Sequence, residues 1–333
     1  MTSRARLRGL RWVVGAAVLA VGTAACVPNA PAPTTTTSTT TTSSTTTSST
    51  TTTTESTTTT TAPPTLTPAV SYSTTTGLSQ TGSQVVVTGS GFDPSLVAGG
   101  VAGLYVAIGV GAGPVPTAYT SAKFVRPVGP DPETASGAEL RADGTFVATI
   151  STPALFVGQG QAVNCYIDAC KVFVFSAHTG SYAPWSFQTP VSFGAATTAQ
   201  VVVSRSANLA SAGETVTVTG AGFSAAFPGI YLGQVPWTAA TAPSTWSTTD
   251  AGEWGDTVWI STTGPDPRSA GQARLDGNGS FRTTLSVHAV IGASGNDCSS
   301  TACAIATVRA HGFADPTGSQ TTWTPITVAA PPA

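Results

Sequence analysis

Apolar and polar residues alternate along most of this chain. Thr215, Val216, Thr217 and Val218 switch at every step. Phe146, Ala148 and Ile150 fall on one face of an extended segment, as do Phe281, Thr283 and Leu285. A period of two sends successive side chains to opposite faces of a strand. Turns rich in Gly, Pro, Asp and Asn separate these stretches at intervals of roughly ten residues, which predicts an all-β sandwich or barrel. No apolar stripe of helical period is sustained outside the N-terminal segment.

The pattern occurs twice. Val85-Val86-Val87-Thr88-Gly89-Ser90-Gly91-Phe92 returns as Val216-Thr217-Val218-Thr219-Gly220-Ala221-Gly222-Phe223. Gly129-Pro130-Asp131-Pro132 returns as Gly264-Pro265-Asp266-Pro267, and Asp143-Gly144-Thr145-Phe146 returns near Gly277-Asn278-Gly279-Ser280-Phe281. Asn164-Cys165-Tyr166-Ile167-Asp168-Ala169-Cys170 is matched 133 residues later by Asp297-Cys298-Ser299-Ser300-Thr301-Ala302-Cys303. In each copy a histidine, His178 or His311, follows the second cysteine by eight residues. Offsets of 131 to 135 residues in conserved order indicate a duplicated domain with small loop insertions. Each copy holds two cysteines, and cross-strand neighbours lie within disulfide reach. Cys165 is therefore expected to pair with Cys170, and Cys298 with Cys303.

The N-terminal segment reads differently. Arg4, Arg6, Arg8 and Arg11 precede an apolar run from Trp12 to Val21, too short to span a bilayer and flanked like a secretory signal. Thr23-Ala24-Ala25-Cys26 resembles a bacterial lipobox, with Thr23 where Leu is usual. Cys26 is the odd cysteine of five, and a lipid thioether accounts for it. Secretion with an unmodified Cys26 is the alternative. From Thr34 to Thr61 every residue is Thr or Ser except Glu55. Such a tract has nothing apolar to bury and is expected to stay disordered. With prolines at both flanks it reads as an extended stalk, a composition shared with O-glycosylated spacers. The expected organisation is a signal over residues 1–25, a stalk over 26–64, and sandwiches over 65–194 and 197–331.

Ser73-Thr74-Thr75-Thr76-Gly77-Leu78-Ser79, the valine strand and Gly89-Ser90-Gly91-Phe92 together resemble the opening of the neocarzinostatin family of actinobacterial chromoproteins. Gly229-Ile230-Tyr231-Leu232-Gly233-Gln234-Val235-Pro236-Trp237, Asp276 to Leu285 and Asp297 to Cys303 extend the resemblance over the second copy. The resemblance implies two tandem immunoglobulin-like, seven-stranded antiparallel sandwiches, each with a cleft that in the family holds a hydrophobic enediyne chromophore. It places Trp237 at the ligand floor and Trp254 or Trp259 on the cleft wall. In the first copy, Tyr119 and Phe124 are the aromatics of the matching region. Phe156 and Ile291 match the loop before each disulfide hairpin. The departure is Val235, which stands where the family has the first cysteine of a second disulfide, so the floor is apolar but not stapled.

Charge and motif content narrow the function classes. Thirteen basic residues include the four of the signal, against fifteen acidic ones, so the mature chain is acidic. No basic cluster is left to meet a phosphate backbone, and no direct nucleic-acid binding is expected. Three histidines without i, i+4 spacing give no zinc pattern. Asp131, Glu133 and Asp143, or Asp266 and Asp276, read as turn residues before calcium ligands. No Gly-x-Ser-x-Gly, P-loop or dinucleotide pattern occurs. The expectation is a non-enzymatic protein without cofactor, lipid-anchored outside the cell. Two classes remain open: a binder of a hydrophobic small molecule, and a structural or adhesive envelope protein. Trp237, Trp246, Trp254 and Trp259 discriminate between them. Rings lining a concave site favour binding, and rings packed under loops favour the structural class.

Overall fold

The computed structural model describes residues 66–95, 103–127, 137–178, 183–237, 253–263, 272–312, 315 and 317–330. The signal, Cys26 and the Thr/Ser tract lie outside these, as do Trp246, Asp131, Glu133 and Asp266.

The described chain is all-β, and its two copies share one plan of ten strands. In the first copy these are β1 (Ala69–Tyr72), β2 (Ser83–Ser90), β3 (Leu104–Val110), β4 (Ala118–Pro127) and β5 (Gly137–Leu140). They continue with β6 (Phe146–Thr152), β7 (Leu155–Gly158), β8 (Gln161–Asn164), β9 (Lys171–Ser176) and β10 (Phe187–Pro190). The second copy repeats them as β11 (Gln200–Val203), β12 (Glu214–Ala221), β13 (Gly229–Pro236), β14 (Thr257–Ser261) and β15 (Gln272–Arg274). Its remaining strands are β16 (Phe281–Val287), β17 (Val290–Ile291), β18 (Asn296–Asp297), β19 (Cys303–Arg309) and β20 (Thr322–Ile326). Seven strands of each copy form the immunoglobulin-like sandwich. The other three are a short strand, β5 or β15, and the hairpin β7–β8 or β17–β18. β5 and β15 pair in parallel with β4 and β14, a departure from the all-antiparallel expectation. In the first copy Leu140 of β5 also pairs with Phe146, which joins the two layers into one curved sheet of order β1-β2-β6-β5-β4-β3-β9-β10. In the second copy the layers stay separate, as β11-β12-β16 and β15-β14-β13-β19-β20. One parallel bridge closes each sandwich along its side, Leu78 to Phe193 and Leu209 to Val328.

The repeated Gly-x-Gly-Phe motif has a packing cause. Phe92 and Phe146 meet edge to face in the first core, and Phe223 and Phe281 meet in the second. A Cβ on Gly89 would collide with the Phe146 ring, and one on Gly220 would stand 2.5 Å from Phe281. The strand must pass directly over the ring, and only glycine leaves room. Each copy keeps its own core: Val85, Val87, Leu104, Ile108, Ile150 and Trp185 in one, Val216, Val218, Ile230, Ile260, Leu285 and Ile305 in the other.

Both expected disulfides form, with Cα separations of 5.4 Å for Cys165–Cys170 and 5.5 Å for Cys298–Cys303. The first stapled turn is also the joint between the sandwiches. Asn164, at 0% exposure, donates from Nδ2 to Thr219 Oγ1 (3.1 Å) and to the Gly220 carbonyl (2.9 Å). Its Oδ1 accepts from the Tyr166 N–H, and its own N–H donates to Asp168 Oδ2. Arg282 of β16 grips the Asp168 carboxylate with both Nη atoms and reaches the Ala162 carbonyl. That bidentate contact holds the Arg282 guanidinium above its ordinary value. Ala154, Leu155 and Ala221 form a small apolar cluster across the joint, with Tyr166, Phe193 and Val202 around it. The Tyr166 ring is packed there, and burial pushes its hydroxyl pKa up. Gln80 secures the linker: its Oε1 accepts from the Thr197 and Thr198 N–H groups, and its Nε2 donates to the Thr198 carbonyl at 2.6 Å.

The second stapled turn carries Asp297, Ser299 and Thr301 at the positions of Asn164, Tyr166 and Asp168. Asp297 turns inward on its own loop, accepting from Ser299 N–H, Ser299 Oγ and Ser300 Oγ. Among the described residues, the same hairpin thus docks the neighbouring sandwich in one copy and bonds within its own sandwich in the other.

Truncating Asn164 leaves buried partners unsatisfied, so Asn164→Ala is expected to cost ~1–3 kcal/mol. Arg282→Ala, at a more exposed pair, should cost about 1 kcal/mol or less. Urea denaturation of the full chain measures both. An Asn164→Ala variant as stable as wild type would show that the hydrogen bonds do not hold the joint.

Candidate functional site: the outer aromatic face

Each sandwich has a second apolar layer, on the side of the β3–β4–β9 or β13–β14–β19 sheet away from the core. Strand register dictates its members. Tyr231 pairs with Trp259 on one side and Val308 on the other, Gly233 pairs with Ala306, and Val235 pairs with Ala304. Alternation then puts Tyr231, Gly233 and Val235 on one face. Val235, Trp254, Ala304, Ala306 and Val308 are buried together there, with Tyr231 and Trp237 packed against them.

Trp254 is the centre of this layer in the second copy. It is 8% exposed, and a Cβ on Gly233 would lie 2.6 Å from its six-membered ring. The six-membered ring therefore sits directly against the glycine, buried with the small side chains of Ala304 and Ala306. In the first copy the corresponding strand positions are filled from the sheet itself. Phe173 and Phe175 are buried with Ala107, and Tyr105, Tyr119 and Ala122 pack around them. Large residues on β9 in one copy, and small residues on β19 roofed by a loop tryptophan in the other, fill one volume in two ways.

The sequence-derived candidates separate into three places. Val235, Trp237 and Trp254 meet on the outer face. Trp259 sits at its end, edge-on to His311 with ring centroids 5.0 Å apart. Phe156 and Ile291 point into the first and second cores, so neither lines the outer face. Ile291 packs beneath Gly255, where an added Cβ would be 2.9 Å from its Cγ2.

The paired histidines have a shared geometry. His178 and His311 both adopt left-handed backbone, at φ 57° and 58°. His178 stands edge-on to Tyr105 and Phe124, and His311 edge-on to Tyr231 and Trp259. Register makes these equivalent triplets, because Tyr105 pairs with Phe124 as Tyr231 pairs with Trp259. Tyr231 Oη lies 3.4 Å from His311 Nδ1. Left-handed backbone is uncommon outside glycine, and here it recurs at two equivalent positions together with the same ring packing over the tyrosine. The triplets were not apparent from the eight-residue Cys-to-His spacing, because Tyr105 and Tyr231 lie on a strand far away in sequence.

Beyond His311, Asp315 organises the approach to β20. Its carboxylate accepts from Ser319 N–H, Gln320 N–H and Thr321 Oγ1, and lies 3.4 Å from Arg309 Nη2. Arg309 in turn stacks on the Phe227 ring at 3.9 Å. Burial pushes the Asp315 carboxyl up, but the hydrogen bonds and the Arg309 charge outweigh it, and the group titrates below its ordinary value of 3.8. Gln320 then accepts from the Ser224 N–H and, through its carbonyl, from Thr307 Oγ1. Among the described residues no group of three or more His, Cys, Asp or Glu side chains is placed to hold a metal ion.

No protein-family model and no curated protein matches this chain. Solved structures align over most of it at low similarity. The Escherichia coli adhesin FdeC aligns at 16% identity and a TM-score of 0.22, over 80% of this chain and 65% of that one. The teleost fish polymeric Ig receptor ectodomain aligns at 11% and 0.23, over 80% and 100%. The Yersinia pseudotuberculosis adhesin InvE aligns at 14% and 0.20, over 79% and 59%. The chain thus spans less than two thirds of either adhesin.

Two outcomes follow from this geometry. Trp254→Ala should open a cavity on Gly233 and lower stability by ~3–4 kcal/mol; a loss below about 1 kcal/mol in a denaturant titration would mean the indole is an adjustable wall, not a fixed roof. Asp315 has a depressed folded pKa, so its contribution is present above 3.8 and is lost as pH falls through the lower folded value. Asp315→Asn should therefore flatten the fall in stability below pH ~4, and an unchanged acid limb would remove Asp315 from the account.

Proposed function

We propose that this chain is a non-enzymatic extracytoplasmic protein that carries two docked sandwiches off the membrane on a Thr/Ser stalk, and that it serves as a structural or adhesive element of the envelope. Cys26 is the lipid attachment point in this reading. The observation that carries it is Trp254: at the face where the neocarzinostatin resemblance implies a chromophore, the chain's own indole lies on Gly233. Phe173 and Phe175 occupy the same place in the first copy. Rings committed to internal packing favour the structural class over a hydrophobic small-molecule carrier. The joint adds support, since an element projecting through a cell wall transmits force better when its domains are docked.

The test compares bacteria expressing the wild-type chain, a deletion and Cys26→Ser. Wild-type protein should partition into detergent and be cleaved by added protease on intact cells, and Cys26→Ser should appear in the medium or remain unprocessed. Attachment of cells to one another or to a surface should fall in the deletion strain. In parallel, purified wild-type protein should take up no stoichiometric apolar aromatic probe. Tight probe binding that Trp254→Phe abolishes, with attachment unaffected by the deletion, would reverse the choice of class.

A further inference from the structure

A groove of about 500 Å³ lies at the junction of the two sandwiches. It runs along the edge of the second outer face, because Trp323 pairs with Ala306 of that face. Thr81, Pro153 and Leu155 of the first sandwich form one end. Ala199 to Val202, which include most of β11, form one side, and Thr321, Thr322 and Trp323 of β20 form the other. We infer that this groove is a binding site for a neutral oligosaccharide, with Trp323 as the stacking platform.

Four observations converge on it. First, the lining holds no charged side chain, so an ionic ligand would find no counter-charge. Second, the lining mixes apolar surface with hydroxyls and an amide. Thr81 Oγ1 is oriented by Ser79, Thr321 Oγ1 by Asp315, and each hydroxyl keeps lone pairs for a ligand. A sugar ring offers the matching pair of surfaces, a C–H face and a rim of hydroxyls. Third, Trp323 is 46% exposed. A lone exposed apolar residue is ordinary, but this one walls a groove of ligand-site size. At the matching position of the first copy stands Gln188, which bonds Lys171 and the Gly113 carbonyl and so closes its own sheet edge. The exposed indole occurs in the copy where a neighbouring sandwich supplies the opposite end.

Fourth, the walls are held before any ligand arrives. Gln80, buried, pins Thr197 and Thr198 just ahead of β11. Asp315 and buried Gln320 fix the approach to β20. A preformed site spends less binding energy on ordering.

An extended peptide is the competing occupant, since β11 and β20 are sheet edges. The edges argue against it. β11 has only four residues, and β20 carries Pro325, which has no N–H to pair. Pro190 holds the same position at the edge of β10.

The inference does not depend on the lipid anchor or on adhesion, because the purified mature chain suffices to test it. Isothermal titration calorimetry would be run with neutral tetrasaccharides of β-1,4-linked glucose, β-1,4-linked N-acetylglucosamine and α-linked mannose. An uncharged Val/Thr octapeptide would be titrated alongside. At least one saccharide should bind, and Trp323→Gln, the first copy's residue, should weaken it by about tenfold while leaving the melting temperature unchanged. Val290→Ser, at the distal exposed hairpin, should bind as wild type. Absence of saccharide binding, binding unaffected by Trp323→Gln, or binding of the peptide alone would each overturn the assignment.

Discussion

The structure depends on the way one stapled turn is used as a plug. Cys165 and Cys170 close a turn whose backbone would otherwise be free to rearrange, and a short closed loop limits the conformations it must give up on docking. Asn164, Tyr166 and Asp168 project from that turn into the second sandwich. Asn164 meets Thr219 and Gly220, and Asp168 meets Arg282. An unpartnered amide at full burial is costly, so the hydrogen bonds select one register of the two sandwiches as much as they stabilise it. Gln80 fixes the linker by the same logic. The groove beside β11 exists because these contacts bring Pro153 and Leu155 up to the second sandwich.

Duplication gave two copies of a plan, and divergence assigned them different parts. The glycine beneath Phe146 or Phe281, the phenylalanine of the Gly-Phe turn and the stapled hairpin are common to both. The outer face is not. Phe173 and Phe175 on β9 correspond to Ala306 and Val308 on β19, and the volume lost there is regained by Trp254 from a loop. The hairpin tip differs likewise, docking in the first copy and satisfying itself through Asp297 in the second. Both changes conserve packing while moving an aromatic or polar group to a new task.

Much of the fold was legible because it rests on local signals. Alternation marked the strands, and repeated glycines and cysteines gave the duplication and both disulfides. What could not be read were relations between distant residues. Nothing local distinguishes Asn164 as a buried hub from Asp297 as a turn residue, because the difference lies in what stands opposite. The resemblance offered Trp254 as a cleft wall, and only the close approach of its ring to Gly233, a residue distant in sequence, shows that it covers that glycine. Phe156 and Ile291 seemed equivalent to loop residues, yet strand parity turns both into the cores. Trp323 attracted no notice in sequence, since one tryptophan in a strand reads as core, and its exposure depends on facing outward at a sheet edge.

The central claim is that the two sandwiches behave as one docked body. Residual dipolar couplings of the mature protein in a weakly aligning medium test it most directly. The account predicts that amides of β2 and β6 and amides of β12 and β16 fit a single alignment tensor, and that Asn164→Ala splits it in two. Two tensors of different magnitude in the wild-type protein would contradict it, and would make the joint a contact of convenience between independently tumbling domains.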